Sequence, residues 1–252
     1  MEHGTTIEKA LDVLYHLHGG GEARGVSEIG RALGLPKSSA HRLLAALGRR
    51  GLVERDAHGR YRPGIALIAL GLGVLEREPL VAAARPLLEE VARTSDETAF
   101  LTVARARRIV ALDKVEGGGF LRAAPRVGAD VPVHATAVGK LQLAFAPDDV
   151  ALPKEPWPRF TAKTPSGPKG LAPEVERTRK RGWAENREEW IPGVVVIAVP
   201  LFLGGRMVAS VAVAGATSRL TASRSAEIAG QMLAKARQLS SRLDLDRRKD
   251  RP

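Results

Sequence analysis

The stretch from Val26 to Arg50 constrains this chain most: an apolar-periodic segment, a turn at Gly34 followed by Pro36, and a second segment from Lys37 to Arg50 with two unlike faces. Wound as a helix at about 100° per residue, the second segment puts Ala40, Leu43, Leu44 and Leu47 on one stripe, the spacing of a face that must be buried. Ser38, Arg42, Ala45 and Arg49 fall opposite, with Ser39 and His41 on the flanks. Between Ile29 and Val53 there is no Asp or Glu, while Arg31, Lys37, Arg42, Arg49 and Arg50 are basic. A merely solvated helix mixes both signs, so this face suits an anionic partner, and the small Ala45 lets the backbone approach a groove wall. A basic surface helix in a bundle is the plainer alternative.

The neighbouring segments favour the first reading. Thr5 or Thr6 can cap a first helix with an apolar stripe at Ile7, Ala10, Leu11, Leu14 and Leu17, which Gly19 to Gly21 end. Ser27 is the expected cap of the second helix, with Ile29, Ala32 and Leu33 facing inward; Gly34 supplies a permissive turn and Pro36 a preset φ. Gly51 stops the third helix. Leu52 to Arg55 and Arg60 to Arg62 then read as short strands around Asp56-Ala57-His58-Gly59. Three helices and a hairpin describe a winged helix-turn-helix over 1–64. Arg55, Arg60 and Arg62 on the wing, with His58 at its tip, suit phosphate contacts. In the 65–78 linker helix, Ile65, Ile68, Ala69 and Leu72 form an apolar stripe that Gly71 and Gly73 are expected to interrupt. A partner chain is the expected cover for that stripe, and its own domain the alternative.

A second domain is expected over 79–246, with a charged, frayed tail at 247–252. Its predicted elements are a helix from Leu80 to Thr94, with Pro86 at its first turn or at a kink, and a hairpin of Ala99 to Ala104 with Arg108 to Val115. A third strand is expected at Phe120 to Ala124, then an Ala-rich helix from Ala135 to Phe145 and an irregular excursion from Pro147 to Pro173. A charged helix from Pro173 to Arg181, a central hairpin of Val194 to Pro200 with Val208 to Ala214 around Gly204-Gly205, and a closing helix from Ser223 to Leu243 complete it. The fold class is therefore α+β in two domains.

Charge supports an anionic partner less than its total suggests. Of the net +11, residues 1–63 carry 10 basic and 7 acidic residues, a net of +3. Lys154 to Arg187 and Arg219 to Arg251 each carry 9 basic and 4 acidic residues. With no Cys, disulfides, thiolate nucleophiles and cysteine metal sites are excluded. No apolar run reaches the roughly 20 residues that span a bilayer, and the acidic start is unlike a signal peptide, so a cytoplasmic protein without membrane contact is expected.

The strings GLPKSSAHRLLAAL (34–47), RRGLVERDAHGRYRPG (49–64), VGADVPVHATAVGK (127–140), RKRGWAENREEWIPGVVVIAVPL (179–201) and VASVAVAGATSRLT (208–221) occur in an order that resembles the IclR-type bacterial transcription regulators. The resemblance runs from Thr5 to about Leu243. It implies a winged helix-turn-helix joined by the linker to a GAF-like α/β effector-binding domain, operator DNA and a small-molecule effector as partners, and assembly as dimers or pairs of dimers. Lys37, Ser38, Ser39, His41, Arg42, Arg49, Arg50, Arg55, Arg60 and Arg62 would then meet double-stranded DNA. The implied effector site comprises His134, Ala137, Val138, Asn186, Glu189, Val194, Val196, Ala212 and Ala214. Positions 212 and 214 can be serine in relatives that bind small oxoacids, a cysteine is common at 196, and an aspartate at 186. With these polar groups gone, the resemblance implies a larger, partly apolar ligand such as an aromatic acid.

No cofactor, metal or catalytic group is expected. Gly139-Lys140 lacks the rest of a phosphate-loop pattern, and His134 is the lone histidine of the second domain, more in keeping with a structural hydrogen bond than with a metal site. His16 and His18 are expected to be solvated. The competing reading is an enzyme or ligand-binding module with the basic domain as a non-specific nucleic-acid anchor. It would need His134 as base, Thr136 as nucleophile and Glu189 as orienting carboxylate. An RNA-binding adaptor lacks aromatic platforms on the basic helix.

Overall fold

The computed structural model describes residues 5–20, 22–75, 77–119 and 123–249. The chain divides into two compact units, 1–78 and 79–252.

The first unit is built from α1 (Thr6–Gly20), α2 (Val26–Ala32), α3 (Lys37–Arg49), the antiparallel pair β1 (Val53–Arg55) and β2 (Tyr61–Pro63), and α4 (Ile65–Leu75). Its core joins Val13 and Leu17 of α1, Ile29 of α2, Leu43, Leu44 and Leu47 of α3, and Val53 and Tyr61 of the wing. The stripe expected on α1 is therefore rotated: Val13 takes the buried place, while Ile7 and Leu11 are exposed. The cap expected at Ser27 also moves. Gly25 is the N-cap of α2, and Glu28 reaches back to accept from the Gly25 N–H at 2.8 Å, so a carboxylate closes the helix start. Gly34 has φ +64°, the left-handed turn that its lack of a side chain permits. Gly30 permits the close approach beside it, since a Cβ there would lie 2.9 Å from the Leu35 carbonyl oxygen. The linker helix α4 is unbroken through Gly71 and Gly73, each of which costs only about 1 kcal/mol relative to alanine.

The second unit is a six-stranded antiparallel sheet in the order β5-β4-β3-β8-β7-β6, where β3 is Thr98–Arg105, β4 Arg108–Val115, β5 Asp130–Val131, β6 Ala184–Arg187, β7 Val194–Leu203 and β8 Arg206–Ala216. Alternation along each strand separates two cores. Leu101, Val195, Ile197, Val211 and Val213 face α5 (Pro79–Ser95) and α8 (Ala222–Lys249). Phe100, Val194, Val196, Ala212 and Ala214 face α6 (Ala137–Phe145). The charged helix α7 (Pro168–Arg181) packs on α6 and β6.

Several expectations change here. Pro86 lies inside a continuous α5. The helix expected from Pro173 begins at Pro168, whose preset φ suits a first turn, with Pro173 inside it. The preceding excursion is anchored, with Trp157 and Thr164 buried. Strands β5 and β6 are additions, and Phe120, Leu121 and Arg122 of the expected third strand lie outside the described residues. The expected tail is helical through Lys249, and residues 250–252 lie outside the described residues. His16 is half-buried, with Nε2 3.3 Å from Arg24 Nη1, whereas His18 is exposed.

Candidate DNA-reading face and effector cleft

On α3 the two faces separate as amphipathic geometry requires: Ala40, Leu43, Leu44 and Leu47 are buried, and Lys37, Ser38, His41, Arg42, Arg49 and Arg50 are exposed, with Ser39 and Ala45 half-buried. Among the described residues, the side chains of Lys37, Arg42, Arg49 and Arg50 have no ion pair or hydrogen bond. The wing differs. Arg60 donates from Nε to the Ala23 carbonyl at 2.8 Å and pairs with Glu28 at 3.4 Å, tying the wing to the approach to α2. Arg62 pairs with Glu54 at 3.1 Å; Arg55 donates to the Gly59 carbonyl at 3.2 Å and lies over the Tyr61 ring. His58 sits at an exposed tip shaped by Asp56, which accepts from the backbone N–H groups of His58 and Arg60. Those bonds, that from Arg60 first, hold the Asp56 carboxyl below its ordinary range.

The second unit holds a narrow apolar cleft of about 340 Å³, open enough for little more than a water-sized sphere. Register builds its floor. Asn186, Val196 and Ala214 are cross-strand neighbours, as are Ala198 and Ala212 one step along, so residues far apart in the chain lie in rows beneath α6. Val138, Asn186, Val194 and Val196 line the cleft, joined by Phe100, Thr136 and Trp190, which the sequence reading did not select as effector contacts. Ala137, Ala212 and Ala214 are fully buried in the core behind it. Phe100 carried no signal beyond its place in a β-rich run.

The polar groups around this cleft are largely committed. Asn186 Nδ2 donates to the Ala135 carbonyl at 2.6 Å, and its Oδ1 accepts from the Glu189 N–H at 2.9 Å. Thr136 caps α6 by accepting from the Gly139 N–H and donates to the Pro132 carbonyl. Lys140, fully buried, donates from Nζ to Glu189 Oε1 at 2.6 Å and to the Glu185 carbonyl at 2.9 Å. This ion pair holds the loop that carries Trp190 against α6. Gly139 permits the tight start of α6, because a Cβ there would fall 1.9 Å from the Val133 carbonyl oxygen.

His134 does not line this cleft. It is buried between the Trp157 and Phe160 rings, with Nε2 2.8 Å from the Pro158 carbonyl, on another depression of the unit. The triad that an enzyme would need is thus unassembled: His134, Thr136 and Glu189 each have a different partner. Among the described residues, no group of three or more His, Cys, Asp or Glu could hold a metal, and no helix is long and apolar enough to cross a membrane.

A winged helix-turn-helix with a free cationic face, carried on one chain with an α/β unit that encloses an apolar cleft, is the makeup of a ligand-responsive transcription regulator. The family "Bacterial transcriptional regulator IclR C-terminal" matches residues 72–241, and the "IclR helix-turn-helix domain" matches residues 6–57. The chain belongs to the IclR family of bacterial transcriptional regulators. It is 33% identical over 245 residues to the glycerol operon regulatory protein of Streptomyces coelicolor, covering 96% of this chain and 95% of that one. The IclR protein of Thermotoga maritima shares its fold with a TM-score of 0.74 at 30% identity, over 95% of this chain and 98% of that one. An IclR homologue from Microbacterium hydrocarbonoxydans, solved with 4-hydroxybenzoate, shares the fold at 23% identity with a TM-score of 0.77, over 95% and 99% of the two chains.

Proposed function

We propose that α3 enters the major groove of an operator, with Ser38, Ser39, His41 and Arg42 nearest base edges and Lys37, Arg49 and Arg50 nearest phosphates. The observation that carries this reading is a set of four exposed cations, three on α3 and one at its C-cap, without partners among the described residues, beside a wing whose arginines have them. A free guanidinium can bond a guanine edge or a phosphate without first breaking an internal ion pair. Arg55, Arg60 and Arg62 add contacts to the DNA backbone while also shaping the wing. A protein that reads an operator works beside the chromosome, in the cytoplasm.

The cleft beneath α6 is the effector site, and its ligand is an apolar-bodied organic acid. Among the described residues, no charged side chain lines the cleft. The first turn of α6 leaves the N–H groups of Ala137 and Val138 without intrahelical acceptors, a natural seat for a carboxylate. Because the space is narrow, a ring enters only if the Trp190 loop or α6 yields, which links occupancy to a change of shape. The exposed apolar residues of α4 and α1 cover one another in a homodimer, and the effector changes the spacing of the paired α3 helices through α4.

The test is fluorescence anisotropy with duplex DNA from upstream of the chain's own gene. Arg42→Ala is expected to weaken specific binding by about 1–3 kcal/mol and to relax base preference, whereas Arg49→Ala weakens all sequences alike and lowers the salt slope. Unchanged operator affinity in Arg42→Ala would refute the placement of α3. Thermal shift with benzoate and 4-hydroxybenzoate against glyoxylate and pyruvate tests the effector class, and stabilisation by the small oxoacids alone would refute it.

A further inference from the structure

Operator reading leaves much of the chain's positive charge unexplained, since residues 1–63 hold a net of only +3 out of +11. Part of the remainder converges in the second unit. The last turn of α7 carries Arg179, Lys180 and Arg181, and α8 presents Arg237; all four line one open cleft of about 240 Å³. Among the described residues, no Asp or Glu lines it. Phe145 and Phe202, edge to face at 5.7 Å between centroids, form an apolar part of its wall. Ser240 Oγ accepts from the Phe202 N–H at 3.2 Å, which leaves its own O–H able to donate.

Among the described residues, Arg181 and Arg237 form no ion pair. Arg181 is half-buried, stacks on the Trp183 ring at 3.6 Å and donates from Nε to the Trp183 carbonyl. Desolvation lowers its pKa from the usual arginine value, against the opposing pull of Glu185 and Glu174. Arg237 is exposed and, among the described residues, has neither ion pair nor hydrogen bond. Arg179 and Lys180 share a single carboxylate, Glu176, at 2.7 and 3.6 Å. The negative end of α7 accounts for some basic residues in its last turn. It accounts neither for Arg237, which belongs to another helix, nor for a guanidinium held over an indole beside an apolar wall.

We propose that this cleft is a second ligand site of the sensing unit, for a small phosphomonoester whose phosphate meets Arg181, Arg237 and Lys180 and whose organic part lies on Phe145 and Phe202. Guanidinium forks match phosphate oxygens in pairs. Duplex DNA would touch only the rim of such a concavity and would leave the phenylalanine wall unused.

The experiment is calorimetric titration of the full chain with phenyl phosphate, inorganic phosphate and phenol, in the native protein and in Lys180→Gln/Arg237→Gln, two exposed side chains whose removal leaves the core intact. Phenyl phosphate is expected to bind saturably and more tightly than inorganic phosphate, phenol not at all, and the double variant at least about tenfold more weakly with operator affinity unchanged. Absence of saturable phosphate binding, or equal affinity in the variant, would overturn the proposal. Equal affinity for inorganic phosphate and the ester would remove the organic moiety from it. If the variant instead loses affinity for duplex DNA while phenyl phosphate does not bind, the cleft is a DNA contact and the proposal fails.

Discussion

Lys140 has no solvent exposure, and its ammonium is held by Glu189, the Glu185 carbonyl and, at 3.6 Å, Glu174. Removing one partner of a buried pair leaves the other charged and dry, at a cost of about 3–5 kcal/mol. Lys140→Met is therefore expected to lower unfolding free energy by that order in urea melts, and Lys140→Met/Glu189→Leu to recover part of the loss. The dipeptide Gly139-Lys140 was visible in the sequence, but only as a failed phosphate loop. A lysine on a nine-residue Ala-rich helix reads as solvent-facing unless the acidic loop 49 residues on is known to close over it. Asn186 is a similar case: the family position is visible in the sequence, while the commitment of its amide to Ala135 and Glu189 is not.

Among the elements, α3 was the most legible, because one helical period sorts its buried from its exposed residues without reference to the rest of the chain. Helix α1 was less so: Ile7, Ala10, Leu11, Val13, Leu14 and Leu17 allow two stripes, and packing against α3 and the wing chose the one through Val13 and Leu17. Helix α4 stands apart, with Ile65, Ile68, Leu70, Leu72 and Val74 all exposed. Such a face needs a cover. On the proposed homodimer, Ile68→Asp/Leu72→Asp is expected to give a monomer in light scattering with no large loss of thermal stability. A thermal midpoint that collapses in the monomer would place the face inside its own subunit instead. At the start of α6, Gly139→Ala sets a Cβ against the Val133 carbonyl and is expected to cost about 1–3 kcal/mol and, on the proposed effector site, to weaken ligand binding by displacing the cleft wall.

Across the whole molecule, solvent-accessible carboxylates with hydrogen-bond partners contribute stability that acid removes. Glu28, held first by the Gly25 N–H and then by Arg60, Glu90, held by Lys235, and Glu188, held by Lys163 and the Gly193 N–H, all have pKa values below the ordinary glutamate value of 4.5. A depressed folded pKa means that the unfolded chain takes up the proton first. The stability these groups contribute is complete above pH 4.5 and is lost as pH falls through their lower folded values. Thermal midpoints are expected to be insensitive to these groups near neutrality and to fall steadily in acid, with a shallower decline for Glu28→Gln. An unchanged slope in that variant would show that the helix cap contributes nothing to acid stability.

By itself the sequence determined the winged helix-turn-helix, the central hairpin and the chemistry of the α3 face, because local periodicity, turn residues and the absence of nearby acids are properties of neighbouring positions. The tertiary structure alone decided which of the basic residues are free. Arg60 and Arg42 read alike in the sequence, yet one is tied to Ala23 and Glu28 and the other has no partner among the described residues. It also decided what the sensing unit encloses. Sheet register places Asn186, Val196 and Ala214 in one row while His134 turns away to Pro158, and pairing between distant strands leaves no trace in short-range pattern. Lys37, Arg42, Arg49 and Arg50 therefore matter because the fold leaves them without partners among the described residues.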